Sequence, residues 1–111
     1  MFAKGWIRPS VSLYGAPIIF IRKKTGELCM CVDFCSLNKQ TRLDMFAIPC
    51  MHDLLDKLGK AQIFSAVDLS SAYYQVRIKE GHEHKTAFST PMGLFEYVVM
   101  PLGLTNAPAT F

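Results

Sequence analysis

The sequence has no run approaching the ~20 consecutive apolar residues of a membrane span; its longest clean apolar run, 16–21, ends in Arg22, Lys23 and Lys24. No membrane partner is therefore expected. No secretory leader is expected either, because Met1-Phe2-Ala3-Lys4-Gly5-Trp6 has neither an apolar stretch of about 7–15 residues nor a small-residue cleavage site. The expected compartment is intracellular. There is no internal repeat, no low-complexity tract and no Gly/Ser linker, so the 111 residues read as one continuous domain. Charge is also sparse, at 19% against 50% hydrophobic residues, which is the reverse of the composition that keeps chains disordered. With no leader expected, the four cysteines Cys29, Cys31, Cys35 and Cys50 are expected to be reduced thiols rather than a disulfide framework.

The charge that is present is unevenly spread. Residues 1–42 carry seven cations against Glu27 and Asp33, a net +5. Residues 43–68 carry −2 and the remainder balances. A basic first third is compatible with a polyanionic partner and equally with a solvated face.

Local patterning predicts an α+β fold with antiparallel hairpins and short helices. A β-rich run over 17–23, the turn Lys24-Thr-Gly-Glu27 and alternation over 28–34 predict a hairpin. Cys29, Cys31 and Asp33 then face away from Leu28, Met30, Val32 and Phe34. After a polar loop over 38–42, Met51, Leu54, Leu55 and Leu58 recur at helical spacing, with Gly59 as the C-terminal cap. Residues 62–68 read as a further apolar strand. Another hairpin is expected from 85–88 and 95–100 through Pro91-Met92-Gly93. Asn106 and Pro108 read as a helix start. Met45, Met51 and Met92 are expected as core fillers, and His82 and His84 in solvent.

Asp68 is the sharpest single chemical feature. A carboxylate at the end of an apolar strand is costly near a core unless something compensates its desolvation; a divalent metal would do so, and exposure at a strand end would remove the need. No second carboxylate is evident, since Asp53 and Asp56 fall on the polar side of the expected helix. The pattern Cys29-x-Cys31-x3-Cys35, with Cys50 and His52 downstream, fits zinc poorly, because paired ligands usually lie two to four residues apart on a tight turn.

Ile7-Arg-Pro-Ser10, Tyr14-Gly-Ala-Pro17, Ile21-Arg-Lys-Lys24, Cys31-Val-Asp-Phe34, Leu37-Asn-Lys39, Phe64-Ser-Ala-Val-Asp-Leu69, Lys85-Thr-Ala-Phe88 and Met100-Pro-Leu-Gly-Leu-Thr-Asn-Ala-Pro-Ala-Thr-Phe111 occur in an order and spacing that closely resemble the reverse transcriptase of gypsy-type LTR retrotransposons. The resemblance implies one truncated domain over 1–111 of a right-hand polymerase, with fingers at about 1–42 and 76–106 and a partial palm at about 43–75 and 107–111. It implies that Asp68 is a catalytic aspartate and that Asp68, with the backbone carbonyl of Leu69, binds Mg2+. It further implies that Lys23 contacts the triphosphate, that Tyr73 lies under the sugar and selects deoxynucleotides, and that Arg22 and Lys24 share the basic fingertip on nucleic acid. The implied partners are an RNA or DNA template-primer, dNTP, and the rest of a pol polyprotein (remaining palm, RNase H and integrase), in a cytoplasmic particle or the nucleus.

The departures are as informative. The family's acidic hairpin, which carries the other two catalytic carboxylates, does not occur in these residues, and Cys29, Cys35 and Cys50 stand where the family usually has arginine. A thiol cannot replace a bidentate cation at a phosphate. The expected function is a fragment of an RNA-directed DNA polymerase, a metal-dependent nucleotidyltransferase, inactive in isolation. The alternatives are a non-catalytic nucleic-acid-binding remnant and a non-functional decayed transposon fragment.

Overall fold

The computed structural model describes residues 1–46 and 49–111. Its strands are β1 (Ile7–Pro9), β2 (Ile18–Arg22), β3 (Leu28–Val32), β4 (Phe88–Thr90) and β5 (Gly93–Tyr97). Its helices are α1 (Cys35–Gln40), α2 (Met51–Leu58) and α3 (Ala107–Thr110), and 3-10 turns lie at Phe2–Lys4, Ala72–Gln75 and Glu83–Thr86.

The first hairpin forms as its pattern predicts. β2 and β3 pair antiparallel from Ile18 opposite Val32 to Arg22 opposite Leu28, and the turn closes through Lys23 N–H to Glu27 O and Gly26 N–H to Lys23 O. The second hairpin, β4–β5, pairs Phe88 with Phe95 and Thr90 with Gly93. It is shorter than expected, because Lys85 and Thr86 belong to the 3-10 turn before it. β1 adds to the other edge of β5, giving a three-stranded antiparallel sheet in the order β1-β5-β4.

Ala16 joins the two sheets. Its N–H donates to Ala87 O and its carbonyl accepts from Ser89 N–H, at 2.8 and 3.0 Å. The approach is close enough that a Cβ on Gly15 would stand 3.0 Å from Ser89 Oγ, so a larger residue there would require the serine hydroxyl to shift. Between the sheets lies a small core of Val32, Phe34, Phe88 and Tyr97. Phe88 is 1% exposed, and its ring centroid is 5.1 Å from that of Tyr97.

β1 is held by charge as well as by its ladder. Arg8 Nε donates to Glu96 Oε1 at 2.7 Å, and Ser10 Oγ donates to the other carboxylate oxygen. Arg8 Nη2 also lies 3.9 Å from Glu83. One guanidinium thus serves two buried carboxylates, the arrangement a buried charge requires. Glu83 is held below its ordinary carboxylate value by its own backbone N–H and that of Gly81, with Arg8 and Arg77 adding to this against the opposing effect of burial.

Several expectations need correction. Residues 62–68 form no strand: they are exposed, and among the described residues no other strand pairs with them to accept and donate ladder bonds, which a strand cannot supply to itself. The polar loop expected over 38–42 is largely α1, which ends at Gln40. Gly59 follows α2 but has φ −58° and ψ −15°, so it continues the right-handed turn instead of reversing it. Asn106 does not cap α3 with its side chain, which is engaged elsewhere. Met45, Met51 and Met92 are exposed, because among the described residues no element covers them.

α2 has the predicted periodicity, but its apolar face is uncovered: Leu54, Leu55 and Leu58 are 45–54% exposed. With residues 61–69 also in solvent, the chain reaches a radius of gyration of 17.2 Å, against about 13 Å for a compact domain of this length.

Phe88→Ala should cost about 3–5 kcal/mol in denaturant unfolding, whereas Leu55→Ala in the same chain should change stability by less than about 0.5 kcal/mol. Acid should also weaken the fold. Because Glu83 binds its proton less readily folded than unfolded, its contribution is complete above its ordinary value of 4.5 and is lost as pH falls through the lowered one. Glu83→Gln should flatten that acid limb in unfolding titrations; an unchanged limb would assign it to other groups.

Candidate functional site

The predicted site residues fall in two groups. Arg22, Lys23 and Lys24 occupy the end of the β2–β3 hairpin, where every residue from Ile19 to Leu28 is exposed. The tight turn at Gly26, with φ +87°, brings the chain back within four residues. Three cations are thereby held at one tip, with Glu27 the nearby carboxylate. Such a tip can meet phosphates without first desolvating its charges in a core.

Asp68, Leu69 and Tyr73 lie on a single stretch that turns sharply. Asp68 is exposed, and no hydrogen bond or ion pair engages its carboxylate among the described residues. Leu69 is exposed beside it. Ser71 then adopts φ +53° and ψ +44°, the left-handed region, and is the one non-glycine there among the described residues. A serine in this region carries modest strain. The turn is fixed by Tyr74 N–H to Ser71 O at 2.9 Å and by Gln75 Nε2 to Ser70 O at 3.3 Å.

The adjacent tyrosines diverge at this turn. Tyr74 enters the core edge, stacked on Trp6 with centroids 4.4 Å apart and parallel to Tyr97 at 6.3 Å. Burial pushes its hydroxyl pKa up, with smaller contributions from the thiols of Cys29 and Cys31. Tyr73 instead meets Phe111 edge-on at 5.5 Å and remains half-exposed. Tyr74 takes the structural role, and Tyr73 is left available.

The oxygens at Asp68 and Leu69 suit a hard cation such as magnesium in kind. They do not suffice in number, because among the described residues no group of three His, Cys, Asp or Glu side chains converges on one point. The described residues alone therefore do not fit a complete metal centre. All four cysteines are free thiols. Burial raises the Cys31 thiol pKa, and the neighbouring Cys29 raises it further. The Cys35 thiol is raised by Asp33, whose carboxylate accepts from Cys35 N–H at 2.9 Å. Thiols shifted this way stay protonated and unreactive at neutral pH.

Two asparagines were missed by sequence reasoning as positioning residues. Asn38 donates through Nδ2 to Gly103 O at 2.8 Å and accepts at Oδ1 from Thr105 N–H at 2.9 Å. Asn106 donates to Arg42 O at 2.9 Å and accepts from Asp44 N–H at 3.1 Å. Each amide pins two backbone groups about 65 residues away in sequence. The available signal was an asparagine inside each of two motif stretches, a residue type suited to satisfying loop backbone. Gly103, with φ +99°, lies close enough that a Cβ would stand 3.6 Å from the Phe34 ring, so the clamped loop also seals the core.

Among the described residues, no helix is long and apolar enough to cross a membrane. A family model for the reverse transcriptase (RNA-dependent DNA polymerase) matches residues 21–111. The chain is 44% identical over 107 residues to the Transposon Tf2-3 polyprotein of Schizosaccharomyces pombe (strain 972 / ATCC 24843), covering 96% of this chain and 8% of that polyprotein. In fold it is similar to a prototype foamy virus protease-reverse transcriptase mutant, with TM-score 0.87 at 22% identity over 99% of this chain and 15% of that one. It is also similar to the foamy viral protease-reverse transcriptase in complex with RNA/DNA hybrid, with TM-score 0.79 at 20% identity, covering 98% and 15%. The α+β fold is thus that of the fingers and palm region of these enzymes.

Tyr74→Ala should destabilise the chain by about 2–4 kcal/mol, since it removes a ring packed between two others. Tyr73→Ala should cost less than about 1 kcal/mol. Equal losses in thermal unfolding would show that both rings are structural.

Proposed function

The chain belongs to the reverse transcriptase (RNA-dependent DNA polymerase) family, and from that premise we propose that it forms the nucleotide-facing part of a retrotransposon RNA-directed DNA polymerase. The fingers comprise about 1–42 and 76–106, and a partial palm about 43–75 and 107–111. The observation that carries this reading is the division of labour at Ala72–Gln75: Tyr74 fills the structural position, leaving Tyr73 half-exposed five residues after an unengaged Asp68. Asp68 and the Leu69 carbonyl would offer two oxygen donors to Mg2+, and further carboxylates would have to come from outside these residues. Such an ion, if held there, would supply charge neutralisation at phosphates. Lys23 meets the triphosphate of the incoming dNTP, while Arg22 and Lys24 meet nucleic-acid backbone, as suits exposed cations on a rigid hairpin.

The chain spans 8% of the curated polyprotein relative it matches, and the proposed partners include template-primer and the remaining palm, RNase H and integrase portions of such a polyprotein. A cytoplasmic particle or the nucleus is the proposed setting. The exposed basic tip also favours a second reading, in which these residues bind nucleic acid without catalysis.

Primer extension separates the two readings. The 111 residues alone should incorporate no dNTP with Mg2+, having one exposed candidate carboxylate. Within a polyprotein segment that supplies the missing acids, Asp68→Asn should abolish incorporation while the melting temperature is kept. Tyr73→Ala in that segment should raise ribonucleotide use relative to deoxynucleotide. Wild-type turnover in Asp68→Asn, or unaltered sugar preference in Tyr73→Ala, would overturn the respective assignment.

A further inference from the structure

A cavity of about 460 Å³ opens between α1, the loop after it, the Glu83–Thr86 turn and the start of α3. Asp68, Leu69 and Tyr73 do not line it, nor does the basic hairpin tip. Its volume falls within the range of small-molecule sites.

Three features of its wall point to one class of ligand. The first is charge: the titratable side chains on the wall, other than the Tyr14 phenol, are Arg42, His82 and Lys85, and no Asp or Glu lines it among the described residues. Arg42 is exposed, and no carboxylate pairs with it or with Lys85 among the described residues. Lys85 Nζ lies 3.2 Å from His82 Nδ1. That contact holds the lysine head at the wall of the cavity.

The second feature is an apolar floor. Leu37, Ile78, Met100 and Leu104 form it, and Tyr14 also lines the cavity. A bare anion gains nothing from such a floor, whereas a planar base gains from both burial and stacking.

The third is rigidity. Asn38 ties α1 to Gly103 and Thr105, and Asn106 ties the stretch at Arg42 and Asp44 to α3. These four hydrogen bonds fix the wall that carries Arg42, so the site is formed before any ligand arrives and little ordering cost remains.

We infer that this cavity binds a nucleoside monophosphate unit, with its base on the apolar floor and its phosphate between Arg42 and Lys85. The unit can be a free nucleotide or one residue of a single strand, and both present the same chemistry to the wall. The site is separate from the Asp68 assignment and stands or falls independently of it.

Amide NMR titration of the 111-residue chain tests the inference with three probes: dAMP, a short oligo-dA strand and inorganic phosphate. Saturable shifts at Asn38, Arg42, Lys85 and Thr105 are expected with dAMP, with the strand, or with both, and which of the two binds identifies the source. Arg42→Gln and Lys85→Gln should each weaken that binding by about tenfold while the Asn38 and Asn106 side-chain amide signals stay in place, showing that the fold is kept. Lys60→Gln, an exposed position after α2 that does not line the cavity, should leave dAMP binding unchanged. Inorganic phosphate binding as tightly as dAMP would overturn the claim of base recognition. Binding indifferent to both cation variants, or shifts confined to the hairpin tip, would overturn the site itself.

Discussion

Phe88 sits where the two sheets meet. Across the ladder it opposes Phe95, its ring lies against Tyr97, and its chain neighbours Ala87 and Ser89 hold Ala16 on the way into β2. Val32 and Phe34 then reach the same point from β3 and the start of α1. Close packing is strong only over short distances, so the first hairpin, the three-stranded sheet and α1 keep their mutual arrangement through this small cluster and the few bonds beside it. The Arg8 network and the asparagine clamps extend that order to β1 and to the start of α3, where a core this small does not reach.

The proposed chemistry straddles the edge of that order. Tyr74 roots the stretch 68–75 in the packed region through Trp6 and Tyr97. Asp68 lies beyond the left-handed turn at Ser71, on a stretch with exposed residues and no ladder. Its direction is therefore governed by one short turn. The hairpin tip is different: it is carried on a five-residue ladder, so Arg22, Lys23 and Lys24 are held out by continuous backbone pairing.

The cysteines illustrate how little a residue's place on a strand says about its chemistry. Cys29 and Cys31 share a face of β3, as alternation requires, and that face is half-covered, near enough to Tyr74 and Tyr97 for the thiols to act on both hydroxyls. Burial keeps Cys31 neutral. A guanidinium at position 29 would bring a fixed charge to the same face, and a thiol brings none.

The amino-acid sequence by itself determined the elements whose causes are local. The β2–β3 hairpin follows from alternation and a Gly-containing turn, α2 from its i, i+3, i+4, i+7 spacing, and the β4–β5 hairpin from the turn chemistry at 91–93. The ordered motifs also pointed to the reverse transcriptase family, which the family match over residues 21–111 bears out. Only the tertiary structure decided the rest. The apolar pattern over 62–68 describes a surface that wants covering, but whether it becomes a strand depends on a partner distant in the chain, and among the described residues none pairs with it. The apolar face of α2 was legible for the same reason that its exposure was not: periodicity says which side is apolar and nothing about what packs there. β1 found β5, Asn38 found Gly103, and Tyr73 and Tyr74 parted ways because hydrogen bonds and close packing act through space, between residues whose separation in sequence carries no record of their meeting.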